Sequence, residues 1–216
     1  MTEQNYEHMR RAMIASQLRT TGTNDPRVLA AIGAVAREDF VPRDRLAMAY
    51  ADMLVPLKPG RDLNPPMALG RLLTQAAPRD GERALLVGAA TGYAAAVLAR
   101  LVGSLVALEE DKALAAEARK ALVGSAVTLV EGPLAKGWAK GAPYDLILID
   151  GAVELVPDAL IGQLRDGGRL AAGLAEQGVT RLAIGRKAGE GFAMTAFADA
   201  AAALLPGFAR PKAFAF

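Results

Sequence analysis

The feature that most constrains this chain is a series of short, continuous apolar runs, each closed by a turn and most followed by a helix-like segment. Ala84-Leu85-Leu86-Val87 stops at Gly88 and precedes the alanine-rich stretch Tyr93 to Leu101. Leu105-Val106-Ala107-Leu108 precedes Asp111 to Leu122, Val127 to Val130 follows, and Tyr144-Asp145-Leu146-Ile147-Leu148-Ile149-Asp150 precedes Pro157 to Leu164. Arg169 to Leu174 is the fifth run. A strand with one wet face alternates apolar and polar residues, whereas an uninterrupted run buries both faces. Such strands alternating with helices predict an α/β domain, doubly wound, with a mostly parallel sheet and helices on each side. Val179 to Ile184 and Phe192 to Phe197, separated by Gly185 to Gly191, predict a C-terminal antiparallel hairpin.

Before about residue 60 the rhythm is different. Asp25 is placed to cap a helix that Pro26 opens, and Val28, Leu29, Ile32 and Val35 recur at helical spacing until Phe40-Val41-Pro42 ends the element. Pro66 opens another helix carrying Leu69, Leu72, Leu73 and Ala76. Residues 1–60 therefore read as an N-terminal helical extension packed on the core, and 61–216 as the main α/β domain, together one compact unit.

Composition removes whole classes of chemistry. There is no cysteine and one histidine, His8, near the start. Disulfides, thiolate zinc sites, cysteine nucleophiles, Ser-His-Asp triads and multi-histidine metal centres are excluded, and no metal is expected. A chain of 216 residues buries roughly 70% of its unfolded surface and needs no staples. The pI near 9.0 reflects a near-balance of 25 basic and 23 acidic residues, with no basic run interleaved with aromatics, so no nucleic-acid partner is expected. Ala84 to Leu108 is interrupted by Arg100 and three glycines, and its uncharged run falls short of the roughly 20 apolar residues a span needs. The first segment lacks an apolar signal core, and the chain reads as cytoplasmic with no membrane partner. His8 reads as solvated, Trp138, Met9 and Met13 as packing residues, and Arg210, Lys212, Phe214 and Phe216 as an ordinary terminus.

In a sheet of this kind ligands bind beyond the carboxyl ends of the strands. Gly88-Ala89-Ala90-Thr91-Gly92 follows the first run and opens a helix, a place where backbone can approach a ligand. Glu109 closes the second run 21 residues beyond Gly88, the spacing at which an acid holds ribose hydroxyls, and Asp150 closes the fourth. A glycine turn plus a ribose acid points to an adenosine cofactor. Positions 88, 90 and 93 are Gly, Ala and Tyr, so the nicotinamide fingerprint is not met, and no Gly-Lys-Ser/Thr follows to make a P-loop. The competing reading is that Gly88 and Gly92 only permit tight packing and that Glu109 is a solvated strand end.

Taken together the segments resemble the protein-L-isoaspartate O-methyltransferase family, within the class I S-adenosylmethionine-dependent methyltransferases. The resemblance runs from about Met13 to Leu174 and is carried by Gln17-Leu18, Asp25-Pro26-Arg27-Val28-Leu29, Arg37-Glu38-Asp39-Phe40-Val41-Pro42, Ala49-Tyr50-Ala51-Asp52, Thr91 to Ala99, Gly137-Trp138, Ala142-Pro143-Tyr144-Asp145 and Gln163 to Leu170. It implies a seven-stranded Rossmann-like sheet, S-adenosylmethionine or S-adenosylhomocysteine as ligand, and methyl transfer to isoaspartyl carboxylates of proteins or peptides. It places cofactor contacts at Gly88, Ala90, Gly92, Tyr93, Glu109, Pro133, Leu134 and Asp150, substrate contacts at Val55, Pro56, Leu57, Asp62 and Leu63, and the catalytic position at Asn64.

The chain departs from that family at several of these positions. The family's loop Gly-Gln-Thr-Ile-Ser-Gln-Pro is Gly60-Arg61-Asp62-Leu63-Asn64-Pro65-Pro66 here, so Asn64 stands for the serine. Glu-Ile-Gly-Thr-Gly-Ser-Gly has become Leu86-Val87-Gly88-Ala89-Ala90-Thr91-Gly92, and Gly-Asp-Gly has become Gly132-Pro133-Leu134. An alanine forced to positive φ costs about 1 kcal/mol or more, and a lost polar partner about 1–3 kcal/mol. Two or three such losses predict cofactor binding weakened by roughly 10²–10⁴-fold. Three functions remain open: the isoaspartyl enzyme, a methyltransferase for another, small substrate, and a catalytically silent relative that binds partners. Carboxylate methylation needs no strong base, because the acceptor oxygen is already anionic and the task is proximity.

Overall fold

A computed structural model describes residues 3–210 and, of these, the side chains from residue 5 onward. The apolar runs form the middle of a seven-stranded sheet in the order β5-β4-β3-β6-β7-β8-β9. Its strands are β3 (Arg83–Val87), β4 (Ser104–Glu109), β5 (Val127–Glu131), β6 (Tyr144–Val153), β7 (Leu164–Glu176), β8 (Val179–Ala188) and β9 (Gly191–Asp199). β5, β4, β3, β6 and β7 are parallel, and β8 and β9 turn back antiparallel as the expected hairpin. A two-stranded ribbon, β1 (Val55–Lys58) with β2 (Arg61–Leu63), stands apart and straddles residue 60.

The uninterrupted runs do what their pattern requires. In the central register Leu86 pairs with Ala107 on one side and Leu148 on the other, all fully buried. Ala84, Leu86, Leu146 and Leu148 face a core shared with α1 (Glu3–Met13), α2 (Pro26–Gly33), α3 (Pro66–Ala76) and α4 (Tyr93–Leu98). Leu85, Val87, Ile147 and Ile149 face the opposite core, closed by Leu160, Leu164 and Phe208. The helices of the first 60 residues thus share one core with the sheet, through Met13, Leu18, Val28 and Ile32. No helix among the described residues is long and apolar enough to cross a membrane.

Several boundaries differ from the sequence expectation for local reasons. α4 ends at Leu98 instead of Leu101, because the chain must turn into Gly103, where an added Cβ would lie 2.6 Å from Gly81 Cα. The helix expected over Pro157 to Leu164 is only α6 (Asp158–Ile161), and Leu164 already pairs with Tyr144 as the first residue of β7. α2 stops at Gly33, short of Val35, and a separate single turn, Arg37–Phe40, precedes Val41-Pro42. β5 has only β4 as a neighbour, so Val127, Leu129 and Val130 are half-buried and not covered on both faces. α5 (Lys112–Ala121) starts at the Asp111 cap, whose carboxylate accepts from Ala113 N and Leu114 N at 2.9 and 3.1 Å. Asp25 caps α2 as its position in the sequence implied. His8 is exposed, Met13 is fully buried with Met9 packed beside it, and Trp138 packs against the second core. Arg210 bonds Glu154, while Lys212, Phe214 and Phe216 lie outside the described residues.

Candidate active site

The carboxyl ends of β3, β4 and β6 meet along one edge of the sheet. Three segments converge on them: the turn 88–92, the β1–β2 ribbon with Asn64, and the chain that follows β9. In the turn, Gly88 N and Ala89 N both donate to Leu108 O at 3.0 Å, which holds the loop over the end of β4. Gly88, Ala90 and Gly92 all take positive φ, +83°, +48° and +103°. Ala90 therefore sits in the left-handed region that costs an L-residue about 1–2 kcal/mol. Part of what holds it there is a 2.7 Å bond from its N–H to Glu109 Oε2.

Glu109 is fully buried and is the hub of the site. Besides Ala90 N it accepts from Glu110 N at 3.0 Å and Asp111 N at 2.9 Å. Arg61, from β2, completes the shell with two parallel bonds, Nη1 to Oε1 at 2.6 Å and Nη2 to Oε2 at 2.7 Å. Five donors meet a group with about four lone-pair sites, so the carboxylate has no acceptor capacity to spare. Burial works against the Arg61 charge, but the bonds and charge of Glu109, with Glu110 and Asp111 behind it, outweigh that and raise the guanidinium above its usual range. Arg61 Nε is buried without a partner.

Asn64 follows β2 and is also buried. Its Nδ2 donates to Asp150 Oδ1 at 2.7 Å, and its Oδ1 accepts from Ala203 N at 2.7 Å. Arg37 lies beneath, only 1% exposed, and donates from Nε to Ala49 O at 2.7 Å and from Nη2 to Asn64 O at 2.6 Å while stacking over Tyr93 at 4.6 Å. Arg37 thus fixes the backbone of the loop whose side chain meets Asp150. Burial pushes the Asp150 carboxyl up to about 6, against the opposing pull of Asn64, Arg37 and Arg61.

The segment after β9 crosses this edge. Ala152 N donates to Ala203 O at 2.7 Å and Leu205 N to Ala152 O at 3.0 Å, a single bridge onto the end of β6, which runs three residues past Asp150 beside β7. The Leu205 side chain lies where Gly88 and Gly151 present bare Cα atoms: an added Cβ would be 2.9 Å from Leu205 Cδ1 at Gly88 and 2.5 Å from Leu205 Cγ at Gly151. Beyond Arg61 an open cavity of about 780 Å³ remains, lined by residues including Lys58, Gly60, Glu110, Lys112, Pro133 and Pro206.

An adenosine held by this edge needs a carboxylate free to take its ribose hydroxyls and open space against the glycine turn. With Arg61 on Glu109 and Leu205 on Gly88, the residues present do not fit that group in this arrangement. Of the residues expected at a site, Asn64, Asp150, Gly88, Ala90 and Glu109 are brought together. Gly92 packs on Leu122, Tyr93 is buried under Arg37, Leu134 is in the core, and Pro133 borders the open cavity. Val55 and Leu63 pair with each other and are buried, whereas Pro56, Leu57 and Asp62 line a separate shallow cavity with Pro42 and Arg45. Sequence reasoning did not find the roles of Arg61, Arg37 or Leu205. The arginine for glutamine at 61 was the one available signal for the first, and nothing in the sequence marks Leu205.

Residues 9–201 match the family model of protein-L-isoaspartate(D-aspartate) O-methyltransferase. A protein-L-isoaspartate O-methyltransferase of Methylorubrum populi is 45% identical over 163 residues, which span 74% of this chain and 77% of that protein. A solved protein-L-isoaspartate O-methyltransferase superposes with a TM-score of 0.80 at 22% identity, covering 92% of this chain and 66% of the other, so the chain spans just under two thirds of that structure. A Plasmodium falciparum structure described under the same enzyme name, in complex with S-adenosyl-L-homocysteine, superposes with a TM-score of 0.74 at 18% identity, covering 91% and 97%. At those identities the two structures speak to the fold.

Proposed function

This chain belongs to the protein-L-isoaspartate(D-aspartate) O-methyltransferase family, and from that premise we propose that it transfers a methyl group from S-adenosylmethionine to the carboxylate of isoaspartyl residues in proteins and peptides, acting in the cytoplasm. The observation that carries the reading is the family match from residue 9 to 201, which takes in the N-terminal helices as well as the sheet. The donor supplies an electrophilic methyl group. The acceptor carboxylate is an anion at neutral pH, so its reaction calls on positioning more than on a base, in keeping with a site that has no histidine or cysteine. On this reading Asn64, buried at the strand ends with its backbone held by Arg37, is the side chain that meets the acceptor once its amide leaves Asp150 and Ala203.

The test is methyl transfer from radiolabelled S-adenosylmethionine to a pair of peptides that differ only in an isoaspartyl or aspartyl linkage. Label on the isoaspartyl peptide alone supports the assignment, and transfer to neither at high enzyme concentration refutes it. One observation favours a second reading, a catalytically silent relative: Arg61 and Leu205 stand where the cofactor would lie, and both ends of the Asn64 amide are engaged. Direct binding of S-adenosylhomocysteine separates the two.

A further inference from the structure

We infer that this chain carries its own plug for the nucleoside cleft, made of the Arg61 guanidinium on Glu109 and the Leu205 side chain on the Gly88–Gly151 floor, and that ligand binding must lift both. The inference rests on the proposed use of S-adenosylmethionine and concerns how that site is gated.

Three features make this a plug and not ordinary packing. The two groups come from segments far apart in the chain yet cover adjacent strand ends, Arg61 over β4 and Leu205 over β3 and β6. Each fills a place that the backbone leaves bare or that hydroxyls would otherwise take. The bidentate pair satisfies Glu109 as two ribose hydroxyls would, the carboxylate accepting in either case, and Leu205 meets two glycines whose missing Cβ atoms leave only enough room for it. The plug is also held by few bonds. The segment 203–205 is tied to β6 by two backbone bonds at Ala152 and by Asn64 Oδ1 to Ala203 N. Arg61 borders a cavity of about 780 Å³ whose rim carries Glu110, an acid that can receive a displaced guanidinium, while Asp111 and Glu131 on the same rim are already paired with Lys58 and Arg119. If Arg61 leaves, Glu109 still keeps the N–H groups of Ala90, Glu110 and Asp111. Asn64, in the same loop as Arg61, holds the Leu205 segment through Ala203 N while its Nδ2 pairs with Asp150.

The test is calorimetric titration of S-adenosylhomocysteine into the full-length wild type, Arg61→Gln, Leu205→Ala and the double variant, with melting curves to show that each is folded. Leu205→Ala leaves the ion pair untouched, so a folding defect in Arg61→Gln does not spoil the comparison. The expected result is weak binding by the wild type, about tenfold or more tightening in each single variant, and more in the double. In the wild type at saturating ligand, amide exchange at Ala152 and Leu205 should speed up. Wild-type binding near micromolar that the variants leave unchanged or weaken, or unchanged amide exchange at saturation, overturns the plug while the methyltransferase reading stands. If no folded variant binds, both fall.

Discussion

Asp150→Asn is the perturbation whose size the structure determines most directly. Asp150 lies near the end of the central strand, is buried, and has its carboxyl raised from 3.8 to about 6 by loss of solvent that Asn64, Arg37 and Arg61 only partly offset. The direction of the linkage follows from proton counting. Between about pH 4 and pH 6 the folded chain keeps a proton that the unfolded chain has released, so stability falls as pH rises through that window. Below it both states are protonated and nothing is lost, and above it the whole penalty is present. Two factors of ten in proton affinity correspond to about 3 kcal/mol. Asparagine keeps an acceptor for Asn64 Nδ2 but carries no charge to desolvate. The variant should therefore match the wild type at about pH 4 and exceed it by about 3 kcal/mol at about pH 7.5, or roughly 6–12 °C in melting temperature. Urea unfolding at four pH values on both proteins measures the difference and cancels every other titrating group. A gain of the same size at about pH 4 would show that it does not come from the Asp150 charge, and a loss at about pH 7.5 would show that Arg37 and Arg61 compensate that charge; either result would refute the reasoning.

Ala90→Gly and Ala77→Gly, both at positive φ in this fold, should each raise stability by about 1 kcal/mol in chemical denaturation, and a loss at either would mean its side chain contributes more than its strain costs. Glu82→Gln should cost about 3–5 kcal/mol, because Arg169, which is buried and bonds both carboxylate oxygens at 2.9 and 2.7 Å, is left with its charge uncompensated. Burial opposes ionisation of Glu82 but is outweighed by Arg169 and by the Arg79 N–H, which hold it below its ordinary value. Its contribution is complete above about pH 4.5, and the gap between variant and wild type should narrow as pH falls below that. Gly103→Ala should abolish folding or nearly so, because its Cβ would sit 2.6 Å from Gly81 Cα, backbone against backbone with no side chain to move aside. A soluble, cooperatively melting Gly103→Ala protein would contradict that contact.

The sheet was legible because five apolar runs admit few other uses, and both faces of Leu85-Leu86 and Leu146 to Ile149 are buried as the pattern requires. Spacing also placed Glu109 and Asp150 at the right edge, since a strand end followed by a helix start leaves little freedom. Long-range pairing was not legible. The distance in sequence between Arg61 and Glu109 is 48 residues and between Asn64 and Ala203 it is 139, and no local pattern says which buried cation a strand-end acid will meet. Arg37 lay inside a recognised family segment, yet its function is to bond two carbonyls, Ala49 O and Asn64 O. Carbonyls leave no mark in a sequence. Leu205 reads as one apolar residue among several after β9, and only the bare Cα atoms of Gly88 and Gly151 give it meaning.

Two accounts of weak cofactor binding now lead to similar magnitudes from different residues. The altered motif, through Ala90 and Pro133, predicts roughly 10²–10⁴-fold. The plug predicts its own loss, because a site that is open only part of the time binds more weakly by that fraction. Re-exposing a buried leucine costs about 1.5–3 kcal/mol, and parting a buried arginine pair adds to it. The Ala90, Glu110 and Asp111 N–H groups keep Glu109 bonded when Arg61 leaves, which lessens the cost of parting the pair, and the sum is again of the order of a few powers of ten. One variant pair tells the accounts apart. Ala90→Gly restores the family's glycine at a position whose φ is +48°, without touching Arg61, while Arg61→Gln restores the family's glutamine without touching the turn. If the plug governs, Ala90→Gly leaves S-adenosylhomocysteine affinity within about threefold of wild type and Arg61→Gln raises it by about tenfold or more. The opposite ranking would place the weakness in the turn, where the Ala90 methyl group stands between backbone and ligand.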